Sequence, residues 1–329
     1  MNAQGGTILV LGGGGFIGRH AVRALRERGV RAIVGTRHPG RRRGAAHAGS
    51  DADAAEAYRE THFERLCAPE AWAPVLEGVT AVVNCVGILR QRGRETYDRV
   101  HHRAPAALAA ACAARGLRLI HVSALGLESP ARSRFLTSKR AGEAALRASD
   151  ADWHIVRPSL LDGEGGFGAR WIRRVAAWPV HPMPRAAGGQ IAVLDVRDLG
   201  EALATLALGD GSRHGGVREH DLGGLHARTL AEHLAAMRAL RTARPALRIA
   251  VPDILARLAA HVCDLLHVTP FSFGHWELLQ RDNRPAFNAL PALLGRAPRT
   301  VGVAPSAIDD ASPASASPAP PTWPSACEP

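Results

Sequence analysis

The chain has 329 residues, 46% hydrophobic and 22% charged, which suits one large globular unit with ample material for a core. No apolar run approaches the roughly 18–20 residues needed to cross a bilayer, and the N-terminus shows neither the basic segment nor the cleavage site of a secretory leader. The net charge of +11 comes from arginines spread along the whole chain, and only two residues are Tyr, so no surface for specific nucleic-acid recognition is expected. Five scattered cysteines (Cys67, Cys85, Cys112, Cys263, Cys327), none in a C-x-x-C pair, fit reduced thiols in a cytoplasm.

In chain order, Thr7 to Leu11 is a short aliphatic run that reads as a buried parallel strand. Glycines follow at once, and from Phe16 to Arg28 apolar residues recur at helical spacing until Gly29 caps the helix. Gly12, Gly15 and Gly18 form G-x-x-G-x-x-G between strand and helix. In that context the first glycine permits the tight turn, the second admits a pyrophosphate and the third brings helix onto strand. With Phe16 and Ile17, they make the expected dinucleotide-binding turn, whose free N–H groups meet phosphate charge.

The second strand, Val30 to Gly35, runs into Thr36-Arg37-His38. An acid here would take an NAD ribose 2′-hydroxyl, yet the first acid after Gly35 is Asp51. Arg37 suits a 2′-phosphate instead, so NADP is favoured, with NAD left open. The polar stretch Asp51 to Pro74 suggests some helix and a short third strand near Cys67. Val79 to Val83 is another buried strand, and the Asn84-Cys85-Val86-Gly87 turn after it places Val86 and Gly87 on the expected cofactor surface. His101 to Arg115 reads as an Ala-rich helix. Leu117 to Val122 is a strand that delivers Ser123 at its C-terminal end, where ligands of open α/β sheets bind. After a helix comes the strand Trp153 to Arg157.

Arg170 to Pro179 is a short amphipathic piece whose Trp and Arg could grip an apolar, anionic molecule such as a quinone or acyl group, though core packing is the favoured use of the tryptophans. A Pro-rich turn, a strand from Gln190 to Val196 and a helix opening at Asp198 follow. Leu230 to Leu240 and Pro252 to Leu266 read as amphipathic helices; the apolar stripe of the second is broad enough for core, a partner or a membrane surface, and core packing is favoured because its basic content is small. His261 and His267 lie on or just past the second of these helices, but without acidic or Cys companions at ligand spacing, so no metal site is expected. From these patterns the fold class is α/β, a doubly wound parallel Rossmann sheet with a small C-terminal substrate lobe. The core spans 1–160 and the interleaved lobe 161–305. An Ala/Ser/Pro tail at 306–329 is expected to be disordered.

Of the 41 basic residues, 40 are Arg and one is Lys, namely Lys139 in SRFLTSKRAGE. The segments GGGGFIG, NCVG, HVSALG, SKRAGE and RPSLLDG together resemble the extended or atypical short-chain dehydrogenases/reductases. Within them the chain is similar to the group containing the nicotinamide-binding accessory subunit of respiratory complex I. That resemblance implies epimerase- and dehydratase-like relatives and a Ser/Tyr/Lys set in which Tyr exchanges the proton, Lys holds the nicotinamide ribose and Ser orients the carbonyl. Ser123 and Lys139 take two of these catalytic places, and Pro158 passes the nicotinamide. Phe135 occupies the Tyr place, and a phenyl ring has no proton to exchange.

His101, His102 and His121 are the nearby candidates for a substitute acid. Three readings follow: an NADP-dependent oxidoreductase without its ordinary tyrosine, a non-catalytic cofactor-binding structural or assembly protein, and a redox sensor. The substrate is unassigned, a quinone or carbonyl compound being in view. A protein partner stays open, and membrane contact is at most peripheral.

Overall fold

The computed structural model describes residues 6–39, 57–128, 130–209, 216–266, 269 and 271–303. The tail at 306–329, Asp51 and Cys327 lie outside the described residues.

Seven parallel strands form the central sheet in the order β11-β6-β5-β4-β1-β2-β3. They are β1 Thr7–Leu11, β2 Arg31–Thr36, β3 Ala57–Glu60, β4 Ala81–Asn84, β5 Arg118–Val122, β6 Asp152–Pro158 and β11 Glu219–Leu222. Order reverses beside β1, between β4 and β2, which opens a crevice at the carboxyl ends of the strands. The sheet is covered on both faces, because successive residues of each strand point to opposite sides. Ile8 and Val10 pack under helices α1 (Gly18–Glu27) and α5 (Val196–Ala207), with Leu25, Leu199 and Leu203. Leu9 and Leu11 pack on the other side with Trp72, Leu108 and Cys112, under helix α2 (Ala104–Ala113). Each fully buried leucine contributes about 1.5–3 kcal/mol.

Beyond β6 the chain builds a lobe over the crevice from helices α4 (Phe167–Ala176), α6 (Leu230–Ala239), α7 (Asp253–Leu266) and α8 (Phe273–Leu279) with short strand pairs. Helix α3 (Arg134–Arg147) carries the single lysine, and Ser133 Oγ caps it by accepting from the Leu136 N–H.

Several elements differ from expectation. The third strand is Ala57–Glu60 rather than a segment near Cys67, which lies between two short 3-10 turns. The helix expected from His101 begins as a π turn over Asp98–Arg103 before α2. In place of a Pro-rich turn, Val180–Pro184 is strand β8, paired in parallel with β13 (Leu247–Val251) at a sheet edge where proline is tolerated. The α7 stripe is not core: Ile254 is 77% and Leu265 78% exposed. Among the described residues, no helix is long and apolar enough to cross a membrane.

Candidate functional site

The turn after β1 is drawn in against the sheet. Gly12 has φ +69°, and a side chain there would press on Val86 and the Cys85 carbonyl. A Cβ on Gly18 would run into the Gly12 carbonyl and Gly13 Cα, so only glycine lets α1 start this close to β1. At the entrance to α1 the Phe16 and Ile17 amides donate to no backbone acceptor among the described residues. Free N–H groups at a helix start, with no Cβ between them and the crevice, fit a pyrophosphate. The far side of the turn meets the lobe, where Arg19 bonds the Glu164 carbonyl and the Phe16 ring closes on Gly166.

Arg37 stands just past β2, half exposed, with its guanidinium 2.6 Å from Glu95. Val86 N–H donates to Asn84 Oδ1 at 3.0 Å, fixing the turn out of β4. Both Val86 and Gly87 thus lie at the crevice, Gly87 lining the cavity described below.

Ser123 follows β5, held by its N–H donating to the Val156 carbonyl at 2.8 Å. Its buried Oγ faces the Glu143 carboxylate without forming a hydrogen bond of ordinary geometry. Lys139 lies one helical turn beyond Phe135, its Nζ 5.7 Å from the centre of that ring. Burial pushes the Lys139 ammonium down to about 8, against the opposing pull of Glu143. The side chain is half-buried and looks onto the cavity. No side-chain hydrogen bond to Nζ exists among the described residues, which leaves its three donors for a ligand.

Glu143 has its own counter-ion. Burial alone would raise its carboxyl, but two hydrogen bonds from Arg157 hold it below the usual range.

Phe135 sits in an aromatic nest. Tyr97 and His101 meet it edge-on, at 5.8 and 5.4 Å between ring centres, and His275 stacks on it at 6.0 Å and 25°. The three histidines expected as substitute acids are committed elsewhere. His101 accepts from the Ile88 N–H at Nε2 and meets Ser138 Oγ at Nδ1, and burial keeps it neutral. His121 is buried at the β4–β5 pair, Nδ1 on Asn84 and its pKa pushed down to about 4 by desolvation. His102 bonds Asp98 at the surface of the π turn. None of the three lines the cavity; His275, which does, was not singled out in the sequence.

That cavity encloses about 430 Å³, the size of an ordinary small-molecule pocket. Ser123, Lys139 and Pro158 form its floor beside the turn carrying Phe16 and Ile17. Leu278, Leu279 and His275 close it from α8, and Trp171 and Val175 from α4. Polar atoms are few; among them, Asn283 Oδ1 is buried with no hydrogen-bond partner among the described residues. The expectation that the tryptophans serve the core is therefore corrected for Trp171, which walls the cavity and meets Trp178 edge-on at 6.0 Å.

A glycine turn at a helix start, at the point of strand-order reversal, with a lysine and a serine facing an apolar cavity, defines a dinucleotide-binding protein of the doubly wound α/β class. Residues 12–187 match the NAD(P)H-binding family, and the chain belongs to that family. A ceramide reductase from Caulobacter vibrioides is 32% identical over 198 residues, which are 59% of this chain. The chain spans 58% of the length of that relative. An NADPH-dependent quinone oxidoreductase from Escherichia coli has the same fold, with a TM-score of 0.61 at 16% identity over 89% of this chain and 96% of its own. So does a dTDP-glucose 4,6-dehydratase from Bacillus anthracis in complex with NAD, with a TM-score of 0.60 at 18% identity over 90% and 92%.

Proposed function

We propose that the chain is a cytoplasmic NADPH-dependent reductase of a long-chain, largely apolar carbonyl substrate, an atypical short-chain dehydrogenase/reductase with Phe135 in the tyrosine place. The observation that carries this reading is the apolar cavity running from the glycine turn to Lys139 and Ser123. A small polar metabolite would leave those walls wet, whereas an acyl chain would remove them from water at about 25 cal/mol per Å². The ceramide reductase relative supports a lipid substrate.

A bound reduced nicotinamide supplies hydride to the carbonyl carbon. The residues do the rest. Lys139 holds the ribose hydroxyls through Nζ, Ser123 Oγ orients the substrate oxygen, and the leucine and tryptophan walls exclude water. Arg37 would take the 2′-phosphate after giving up Glu95. Its replacement by glutamate is expected to weaken NADPH binding about 10- to 100-fold, the worth of a charge-assisted bond plus repulsion, with NADH little changed. Calorimetric titration with each nucleotide checks this, and equal losses for both would remove Arg37 from the role.

The direct test follows NADPH oxidation by purified protein offered a long-chain ketone, a short ketone and a quinone. Turnover restricted to the long-chain ketone is expected; turnover of none, with NADPH bound, would sink the reductase reading. Phe135 favours a second one, a non-catalytic cofactor-binding or assembly protein. On that reading the parent shows no turnover and Phe135→Tyr creates it, a general acid contributing about 10²–10⁴-fold over the uncatalysed background rate.

A further inference from the structure

The reductase reading leaves one chemical need unmet. As hydride reaches the carbonyl carbon, negative charge develops on oxygen, and Phe135 offers it no hydrogen bond. We infer that His275 supplies that bond, presenting Nε2–H to the substrate oxygen in place of a tyrosine hydroxyl. This rests on the reductase reading for its substrate, though the tautomer and placement of the ring do not.

Three observations support the assignment. The imidazole stacks on Phe135 and shares the cavity wall with Ser123 and Lys139, and it is the one histidine doing so among the described residues. Its Nδ1 lies 2.6 Å from Ser272 Oγ. That same oxygen caps α8 by accepting the His275 backbone N–H at 3.2 Å. Ser272 is buried, and its hydroxyl proton has no other acceptor than Nδ1 among the described residues. Ser272 therefore donates to Nδ1, which places the ring proton on Nε2. Nε2 itself has no hydrogen-bond partner among the described residues.

The ring is held neutral, since burial lowers its pKa to about 4, with Arg90 acting the same way against Asp264. A neutral imidazole is a hydrogen-bond donor and not a proton source, so the two duties divide. His275 stabilises the oxyanion. As the C=O electron pair moves to oxygen, Lys139, which lines the same cavity, passes a proton from Nζ to it and is reprotonated from solvent once the product leaves.

The test uses the whole protein in three forms: parent, His275→Phe, which keeps the ring stack, and His275→Gln, which keeps an N–H donor. Imidazole nitrogen NMR of the nucleotide-free parent should show the Nε2–H tautomer, and titration with a long-chain ketone should shift the Nε2 signal. With NADPH, His275→Phe should lose about 100-fold in kcat, the usual effect of removing one oxyanion donor, with nucleotide affinity unchanged and partial rescue in His275→Gln. An Nδ1–H tautomer, or parental kcat in His275→Phe, would overturn the inference. If His275→Phe does not fold, the parent tautomer and the ketone-induced shift decide. A parent that binds NADPH but reduces no ketone overturns the reductase reading, and the Nε2 response to bound ketone still judges the donor.

Discussion

Lys139→Met is expected to melt several degrees above the parent protein while its NADPH affinity falls about 10- to 100-fold, as hydrogen bonds to a charged group contribute about 1.5–3 kcal/mol. The gain in stability follows from the direction of the Lys139 shift. Burial lowers the folded-state value from 10.5 to about 8, so the native state binds fewer protons than the unfolded chain between those limits. Below pH 8 the fold therefore carries the full cost of enclosing an ammonium, at most on the order of 3 kcal/mol at about 1.36 kcal/mol per unit. As pH rises from 8 to 10.5 the cost fades, and the advantage of methionine should fade with it. Thermal melts of both proteins from pH 7 to 10.5, beside calorimetric NADPH titrations, check each half. A methionine variant that melts lower at pH 7 would mean that Lys139 serves the scaffold; one that binds NADPH normally would remove it from the ribose.

The second large effect lies behind the lysine. Arg157→Ala should cost about 3–5 kcal/mol, the range for breaking one side of a buried ion pair. The arginine side chain is 7% exposed and Glu143 2%, with hydrogen bonds of 2.9 and 2.8 Å between them and a further bond to Asp221 at 3.2 Å. Removing Arg157 leaves Arg147 as the one arginine bonded to Glu143 among the described residues; it reaches Glu143 at 2.9 Å and Glu219 at 2.7 Å from a more exposed position.

The pH dependence should reverse as well. In the parent, Glu143 is held below its ordinary value, so its contribution is present above the unfolded value of 4.5 and lost as pH falls. Without Arg157 the burial that already opposes ionisation prevails, the carboxyl rises, and acid favours the fold. The stability gap between parent and variant should therefore narrow from pH 7 towards pH 4.5, as read by denaturant unfolding. A gap under about 1 kcal/mol at pH 7 would show that the pair contributes no more than a surface bridge.

Legibility of the fold in the sequence tracked how local each signal is. Strand β1 was found at its observed ends, because an aliphatic run bounded by glycine leaves little choice. Strand β11 was not foreseen. Its sequence, Glu219-His220-Asp221-Leu222, is polar, and it is a strand because it pairs with β6 at the sheet edge and aligns Glu219 and Asp221 with Arg157. Strand β8 was hidden by its prolines, and the exposure of the α7 stripe by the fact that an apolar stripe reads alike whether it faces core, partner or solvent. In the site, Ser123, Phe135 and Lys139 came from short motifs whose spacing carries their geometry. The structure then added what spacing leaves out, the burial that lowers the Lys139 pKa and the π turn that aims His101 at Phe135.

The sequence by itself determined the class: a glycine turn between strand and helix, a serine at a strand end, and a lone lysine four residues after a phenylalanine are relations within one or two elements. Helical and strand periodicities fix such relations before any long-range packing. Only the tertiary structure decided which imidazole faces the reaction space. His275 lies 140 positions beyond Phe135 and meets it because α8 folds back over α3, with Gly274 against the Phe135 ring. Contacts across such distances depend on how whole layers pack, and no local pattern of residues carries them.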